Sequence, residues 1–192
     1  AFDLMRFLVG DPKWCFARVS VKGRRPVAAD VTQAGEQIGP VIGDHIFATY
    51  GFDGKAVGTF VTYPTADKTG PRYWTEIRGT KGIVQIGFGA IPPAYFCPDP
   101  TWMTGAGKAK WEPVTSAGLG KEEPLTPKDI VNWNRWLVDD LIEAIEKDRP
   151  PTSSLTDGRA SLEMIMAVYE SYRLDRPVDF PLKNRKHPLA ML

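Results

Sequence analysis

The stretch His45-Ile46-Phe47-Ala48-Thr49-Tyr50-Gly51-Phe52-Asp53-Gly54-Lys55-Ala56-Val57-Gly58-Thr59-Phe60-Val61-Thr62-Tyr63 decides the fold class. Two apolar and aromatic runs, His45 to Tyr50 and Ala56 to Tyr63, flank a segment whose Asp53-Gly54 pair has the chemistry of a tight turn, so the stretch reads as a β-hairpin. A second hairpin follows. Tyr73 to Arg78 and Ile83 to Phe88 flank Gly79-Thr80-Lys81-Gly82, where a glycine at each end implies positive φ.

Upstream of the first hairpin, Trp14 to Lys22 alternates and reads as a strand, and residues 23–43 read as a loop broken by Gly35, Gly39, Pro40 and Gly43. The opening residues predict a helix: Phe2, Met5, Leu8 and Val9 follow a 3.6-residue period, and Gly10 with Pro12 supplies the stop. That helix has no capping residue or initiator Met before it, and the chain is expected to be truncated on its N-terminal side.

Downstream, the pattern dissolves between Gly89 and Glu123 into an aromatic excursion, with short strands expected around Ala94 to Cys97 and Lys110 to Pro113. Thr126-Pro127-Lys128-Asp129 then announces a helix over 127–148, by an N-cap, a first-turn proline and a carboxylate three residues after the cap. Its stripe is Ile130, Trp133, Leu137, Leu141 and Ile145, widened by Val138 and Ile142, and Trp133 and Trp136 are expected to pack against a sheet. Ser154 with Asp157 starts a last helix, striped by Leu162, Ile165, Met166, Tyr169 and Tyr172; Pro177 closes it and Val178 to Leu182 offers a final strand.

Strands and helices are thus segregated along the chain. The expected class is α+β: a mixed, mostly antiparallel sheet with helices on one face, a two-layer sandwich. Residues 1–192 are long enough for one sizeable core and are read as a single domain. The other sheet face would keep aromatic and β-branched residues, so a homodimer or tetramer through that face is expected. Phe52, Phe60, Tyr63, Tyr73 and Trp74, in and around the hairpins, are the residues such a patch would use.

A formal net charge of +1 offers no basic footprint, which disfavours nucleic acid as a partner. No apolar run approaches the roughly 20 residues of a membrane helix, so no membrane partner is expected. Cys15 and Cys97 lie far apart inside apolar surroundings and read as free buried thiols, which fits a cytoplasmic protein.

Chemistry-bearing motifs are scarce. Gly105-Ala106-Gly107-Lys108 does not stand between a strand and a helix, as a phosphate loop must. His45 and His187 have no Cys or His at ligand spacing, so no metal site is expected; His45 reads as a strand-end residue and His187 as part of a solvated basic tail. Asp139, Asp140, Glu143 and Glu146 fall opposite the apolar stripe and read as a solvated face. No catalytic residue is assigned.

Three segments together carry a family resemblance: Phe2-Asp3-Leu4-Met5-Arg6-Phe7-Leu8 with Gly10, Glu76-Ile77-Arg78-Gly79-Thr80-Lys81-Gly82, and Asp157-Gly158-Arg159-Ala160-Ser161-Leu162-Glu163 running through Ala167-Val168-Tyr169-Glu170-Ser171. In order and spacing they resemble the C-terminal domain of the Gfo/Idh/MocA oxidoreductases, relatives of glucose-fructose oxidoreductase and inositol dehydrogenase. The resemblance implies a parent enzyme that uses NAD or NADP to move hydride to or from a sugar, polyol or similar small molecule. It implies an N-terminal Rossmann domain holding the cofactor, a C-terminal sheet forming the pocket wall and subunit interface, and a fragment that binds no cofactor and is inactive alone.

The family's His-x-x-Asp pattern maps its last residue onto Asp3, which places the histidine immediately before Ala1 and the family's further aspartate upstream of it. The loop entering the Glu-Ile-x-Gly strand approaches substrate in the family, and here it is Thr69-Gly70-Pro71-Arg72-Tyr73-Trp74. Asp3, Arg72 and Tyr73 are therefore the candidate substrate-binding residues. The other reading is a non-catalytic ligand-binding or dimerisation scaffold built on the same sheet.

Overall fold

The computed structural model describes residues 1–35, 38–65, 73–99, 101, 109–129 and 133–192, with Trp133 described by its backbone only. In chain order the elements are α1 (Phe2–Val9), β1 (Trp14–Ser20), β2 (Thr32–Gln33), β3 (Pro40–Val41), β4 (His45–Gly51), β5 (Val57–Thr62), β6 (Thr75–Gly79), β7 (Gly82–Ile86), β8 (Ala94–Cys97), β9 (Glu112–Thr115), β10 (Gly118–Leu119), α2 (Trp133–Glu146), α3 (Leu155–Leu174) and β11 (Val178–Asp179). They fall into two compact units, residues 1–66 with 153–192, and residues 67–152.

In the first unit β1 is a central strand of an antiparallel sheet ordered β11-β1-β4-β5. Its period-2 alternation sends Cys15, Ala17 and Val19 inward, opposite Tyr50, Ala48 and Ile46 of β4. Cys15, Ala17 and Ala48 are small, which lets α3 lie close against the strand with Met164, Ala167, Val168, Ser171 and Tyr172 buried. Burying a side chain the size of Met164 or Val168 is worth about 1.5–3 kcal/mol. Phe2 and Met5 of α1 pack onto the same core, Phe2 between the rings of Tyr50 (5.8 Å) and Phe60 (4.8 Å).

The polar groups this burial creates are paired. Tyr50 donates its hydroxyl to the Met164 carbonyl at 3.0 Å, and Tyr172 donates to the Pro26 carbonyl. Beyond the two-residue β11, the Ala17 N–H goes to Ser171 Oγ (2.9 Å), which in turn donates to the Arg176 carbonyl (2.8 Å). Helix α3 starts as its sequence predicts: Ser154 Oγ accepts the Asp157 N–H, and Asp157 accepts the Ser154 N–H in return. It ends on Asp175, left-handed at φ 53°, two residues before Pro177.

The second unit contains a five-stranded antiparallel meander, β10-β9-β8-β7-β6. In the β6–β7 turn only Gly82 has positive φ (151°), not Gly79. Gly82 is required by space as well, since a Cβ there would lie 2.4 Å from the Cys97 carbonyl.

The α+β class is therefore as the sequence predicts, but the single sheet is not. Among the described residues the two hairpins, β4–β5 and β6–β7, belong to different hydrogen-bonded sheets. Alternation within each hairpin reports its pairing and its faces; it carries no information on whether two hairpins share a sheet. The expected loop over 23–43 holds a short 3-10 turn and the β2–β3 pair, and β11 spans two residues rather than five.

The aromatic set divides as well. Phe52 and Phe60 join the core of the first unit, Tyr63 packs edge-on against His45, and Tyr73 belongs to the second unit. Trp136 is 55% exposed, with Leu137, Leu141 and Ile145 exposed beside it, so the tryptophan is not buried against a sheet as expected. Ala144 is the buried side chain of α2 among the described residues.

Replacing Ser171 by alanine should destabilise the fold by about 1–3 kcal/mol, because it strands the Ala17 N–H and the Arg176 carbonyl. Urea denaturation of the S171A variant measures this, with an unchanged m-value expected.

Candidate functional site

The candidate residues of the first unit are organised around Arg6. An amphipathic α1 puts Phe2 and Met5 down onto the core, and Met5 lies so close to β5 that a Cβ on Gly58 would meet its sulfur at 2.5 Å. The polar side of the helix then faces the start of α3. Arg6, its side chain only 12% exposed, donates Nε to Asp11 (2.7 Å) and its Nη atoms to the carboxylate (3.3 Å) and backbone carbonyl (3.2 Å) of Asp157. Burial pulls the guanidinium's pKa down, but hydrogen bonds and charge from Asp11 and Asp157 outweigh it and leave it raised. Asp157 is held below the ordinary carboxylate value, by the Ser154 hydroxyl and N–H first and by Arg6 after them.

Asp3 sits one turn before Arg6 and stays exposed. Its Oδ1 accepts the Ser161 hydroxyl of α3 at 3.2 Å and lies 3.5 Å from Arg6 Nη1. The carboxylate is thus oriented by two neighbours while open to solvent, an arrangement suited to accept a hydrogen bond from a ligand hydroxyl. Tyr73 is in the second unit, 65% exposed, its ring edge-on to Phe88 at 5.7 Å. Its hydroxyl suits the same class of contact. Arg72 and the rest of the loop from Thr69 lie outside the described residues, as does the Gly105-Ala106-Gly107-Lys108 segment.

The anchoring role of Arg6 was not assigned from the sequence, although its spacing from Asp3 is the i, i+3 spacing of helical ion pairs. Its long-range partner, Asp157, is 151 residues away, and no local pattern reports that contact.

The two thiols and His187 read as structural. Cys15 and Cys97 are free and buried, and burial pushes the Cys15 thiol up to about 12, where it is not a nucleophile. His45 opens β4 as expected of a strand-end residue. His187 is not in a solvated tail: its ring stacks near Tyr169 (6.2 Å) and Nδ1 accepts the Leu189 N–H, while Asn184 and Arg185 reach back to Glu170 and Glu163 of α3. Among the described residues no helix is long and apolar enough to cross a membrane.

Burial holds the His187 pKa below its ordinary value of 6.5, so the unfolded chain takes the proton first. The contribution is fully present above pH 6.5 and is lost as pH falls below it, toward the lowered folded value. Denaturation midpoints at pH 7.5 and 5.5 should therefore converge in a His187→Gln variant relative to the parent sequence.

A second check separates anchor from candidate. Arg6→Ala should cost about 1–3 kcal/mol by stranding a charge-assisted network, whereas Asp3→Ala, on an exposed carboxylate, should change stability by less than about 0.5 kcal/mol. Parallel urea titrations of the two variants measure both.

Over residues 1–180 the sequence matches the family described as "Oxidoreductase family, C-terminal alpha/beta domain" (GFO_IDH_MocA_C). No curated protein matches. Among solved structures the chain is similar to the WlbA dehydrogenase of Bordetella pertussis in complex with NADH and UDP-GlcNAcA, at 18% identity and TM-score 0.55, over 95% of this chain and 43% of that one. It is also similar to levoglucosan dehydrogenase in complex with NADH and L-sorbose, at 19% identity and TM-score 0.60, over 94% and 48%. A third is the aldose-aldose oxidoreductase of Caulobacter crescentus complexed with glycerol, at 20% identity and TM-score 0.57, over 93% and 44%. At such identities the likeness is one of fold, and the chain spans somewhat less than half the length of these structures. The match over residues 1–180 places the chain in the Gfo/Idh/MocA oxidoreductase family, as its C-terminal α/β domain.

Proposed function

We propose that this chain is the substrate-side and oligomerisation domain of an enzyme that uses NAD or NADP to transfer hydride to or from a sugar, polyol or similar small molecule. The carrying observation is the family match, which includes the helix that presents Asp3. The fold relatives complexed with NADH and with sugar-like ligands support the choice of cofactor and substrate class. In this reading the nicotinamide nucleotide is held by a Rossmann half of the parent protein. Asp3, Arg72 and Tyr73 bind substrate hydroxyls, and both compact units serve the one domain. Free buried Cys15 and Cys97 suit a reducing cytoplasm.

The fragment itself is expected to be inactive. A pyrophosphate needs free backbone N–H groups at a helix N-terminus. At α3 the Ser154–Asp157 capping box already takes the Asp157 N–H, and the Asp157 carboxylate would repel an anion there. Calorimetric titration of NADH into residues 1–192 should show no micromolar binding. The parent protein should oxidise or reduce members of a polyol and sugar panel with NAD(P)(H). In the parent, Asp3→Ala or Tyr73→Phe should lower kcat/KM by about tenfold, the scale of one hydrogen bond to substrate, with little change in folding stability. A parent protein that binds no NAD(H) would favour the scaffold reading instead.

The assembly expected of this domain uses the face of the β11-β1-β4-β5 sheet that α3 does not cover, where Val57 and Val61 are exposed. A second copy meeting it about a two-fold axis would remove those side chains from water, giving a dimer or a tetramer of dimers. Sedimentation at tens of micromolar should report a dimer or larger, and Val61→Lys should shift it toward monomer.

A further inference from the structure

Where β1 runs out and β4 begins, the cross-strand pairs Arg18–Phe47 and Ser20–His45 stand side by side. With the turn at Gly23–Arg25 and the ring of Tyr172 they line a recess of about 350 Å3. Three guanidiniums line it. Arg24 is clamped by both oxygens of Asp30, at 2.8 and 2.6 Å, and that pair is neutral overall. Arg18 and Arg25 share one carboxylate, Asp175: Arg18 Nη1 reaches Oδ1 at 2.6 Å and Arg25 Nη1 reaches Oδ2 at 3.3 Å. Two cations against one anion leave a positive charge uncompensated within this group.

Both guanidiniums are also held in place. Arg18 lies over the Phe16 ring and Arg25 over the Tyr172 ring, each 5.5 Å from the centroid. Arg25 Nη2 donates as well to the Tyr172 carbonyl at 3.4 Å. Stacking and the shared carboxylate together reduce the rotamer freedom that a ligand would otherwise have to remove, while most of the N–H fork on Arg18 remains unspent. The Ser20 hydroxyl and the His45 imidazole line the same recess.

We propose that this recess is a binding site for the oxyanion of a small molecule, a phosphate or carboxylate group taken up by Arg18 and Arg25 in competition with Asp175. A guanidinium matches such a group through paired, charge-assisted hydrogen bonds, and the uncompensated charge gives the anion its electrostatic preference over a neutral polyol. The site rests on this geometry alone and does not depend on the hydride-transfer reading.

The test is calorimetric titration of the 192-residue protein with inorganic phosphate, with acetate and with glucose, at constant ionic strength set by chloride. Saturable binding of phosphate or acetate and none of glucose is expected, and whichever anion binds more tightly identifies the group. Arg18→Ala and Arg25→Ala, both at exposed positions, should each weaken binding about tenfold or more. Asp175→Asn should tighten it several-fold, because it removes the competing charge while asparagine tolerates the left-handed backbone. If the two arginines serve only to clamp the end of α3, neither anion will bind beyond the chloride control and D175N will merely be less stable. That result overturns the proposal, as does binding that survives Arg25→Ala unchanged or fails to tighten in D175N.

Discussion

The close approach of α3 to β1 is the contact on which the first unit depends. It is possible because β1 and β4 present Cys15, Ala17 and Ala48 where larger side chains would hold the helix away. Closeness has a polar consequence. The Ala17 N–H, past the end of β11, cannot reach water under the helix, and Ser171 answers it from α3 while passing its own proton to Arg176. One hydroxyl therefore joins the strand, the helix and the turn that leads back into β11. Tyr50 and Tyr172 do the same at greater reach, each bringing a large ring into the core and ending on a carbonyl.

The placement of α1 follows from the placement of α3. Phe2 and Met5 dock on apolar surface that exists only once Tyr50 and Phe60 are in position, and Arg6 finds Asp157 only because the α3 capping box holds that carboxylate in place. An ion pair of this kind, with one side chain largely withdrawn from water, contributes orientation as much as stability. Asp3 inherits that orientation through Ser161 and Arg6 and remains open to solvent.

Much of this was legible in the amino-acid order. The Asp53-Gly54 and Gly79–Gly82 turns, the strand at Ala94 to Cys97 and the capping box at Ser154 all rest on local rules, and all stand where those rules put them. The errors share a cause. Trp136 was expected to pack against a sheet, but a helical stripe specifies that a face is apolar and not what covers it. His187 was expected in solvent because its neighbours are basic, yet Glu163 and Glu170 of α3 draw those neighbours back along the helix. In neither case does a local pattern report what the side chain meets.

By itself the sequence determined the helices α1 and α3, the strand β1, the antiparallel pairing within each hairpin, and the family motifs around Asp3, Glu76 and Asp157. These are consequences of backbone geometry and side-chain periodicity acting over a few residues. Only the tertiary structure decided that the two hairpins belong to separate sheets, that Arg6 anchors α1 to α3, that Ser171 closes the backbone of β1, and that Arg18 and Arg25 share Asp175 beside an open recess. Hydrogen bonds and ion pairs between side chains about 150 residues apart leave no periodic trace in the chain. They form when packing of the apolar core has brought their partners within reach.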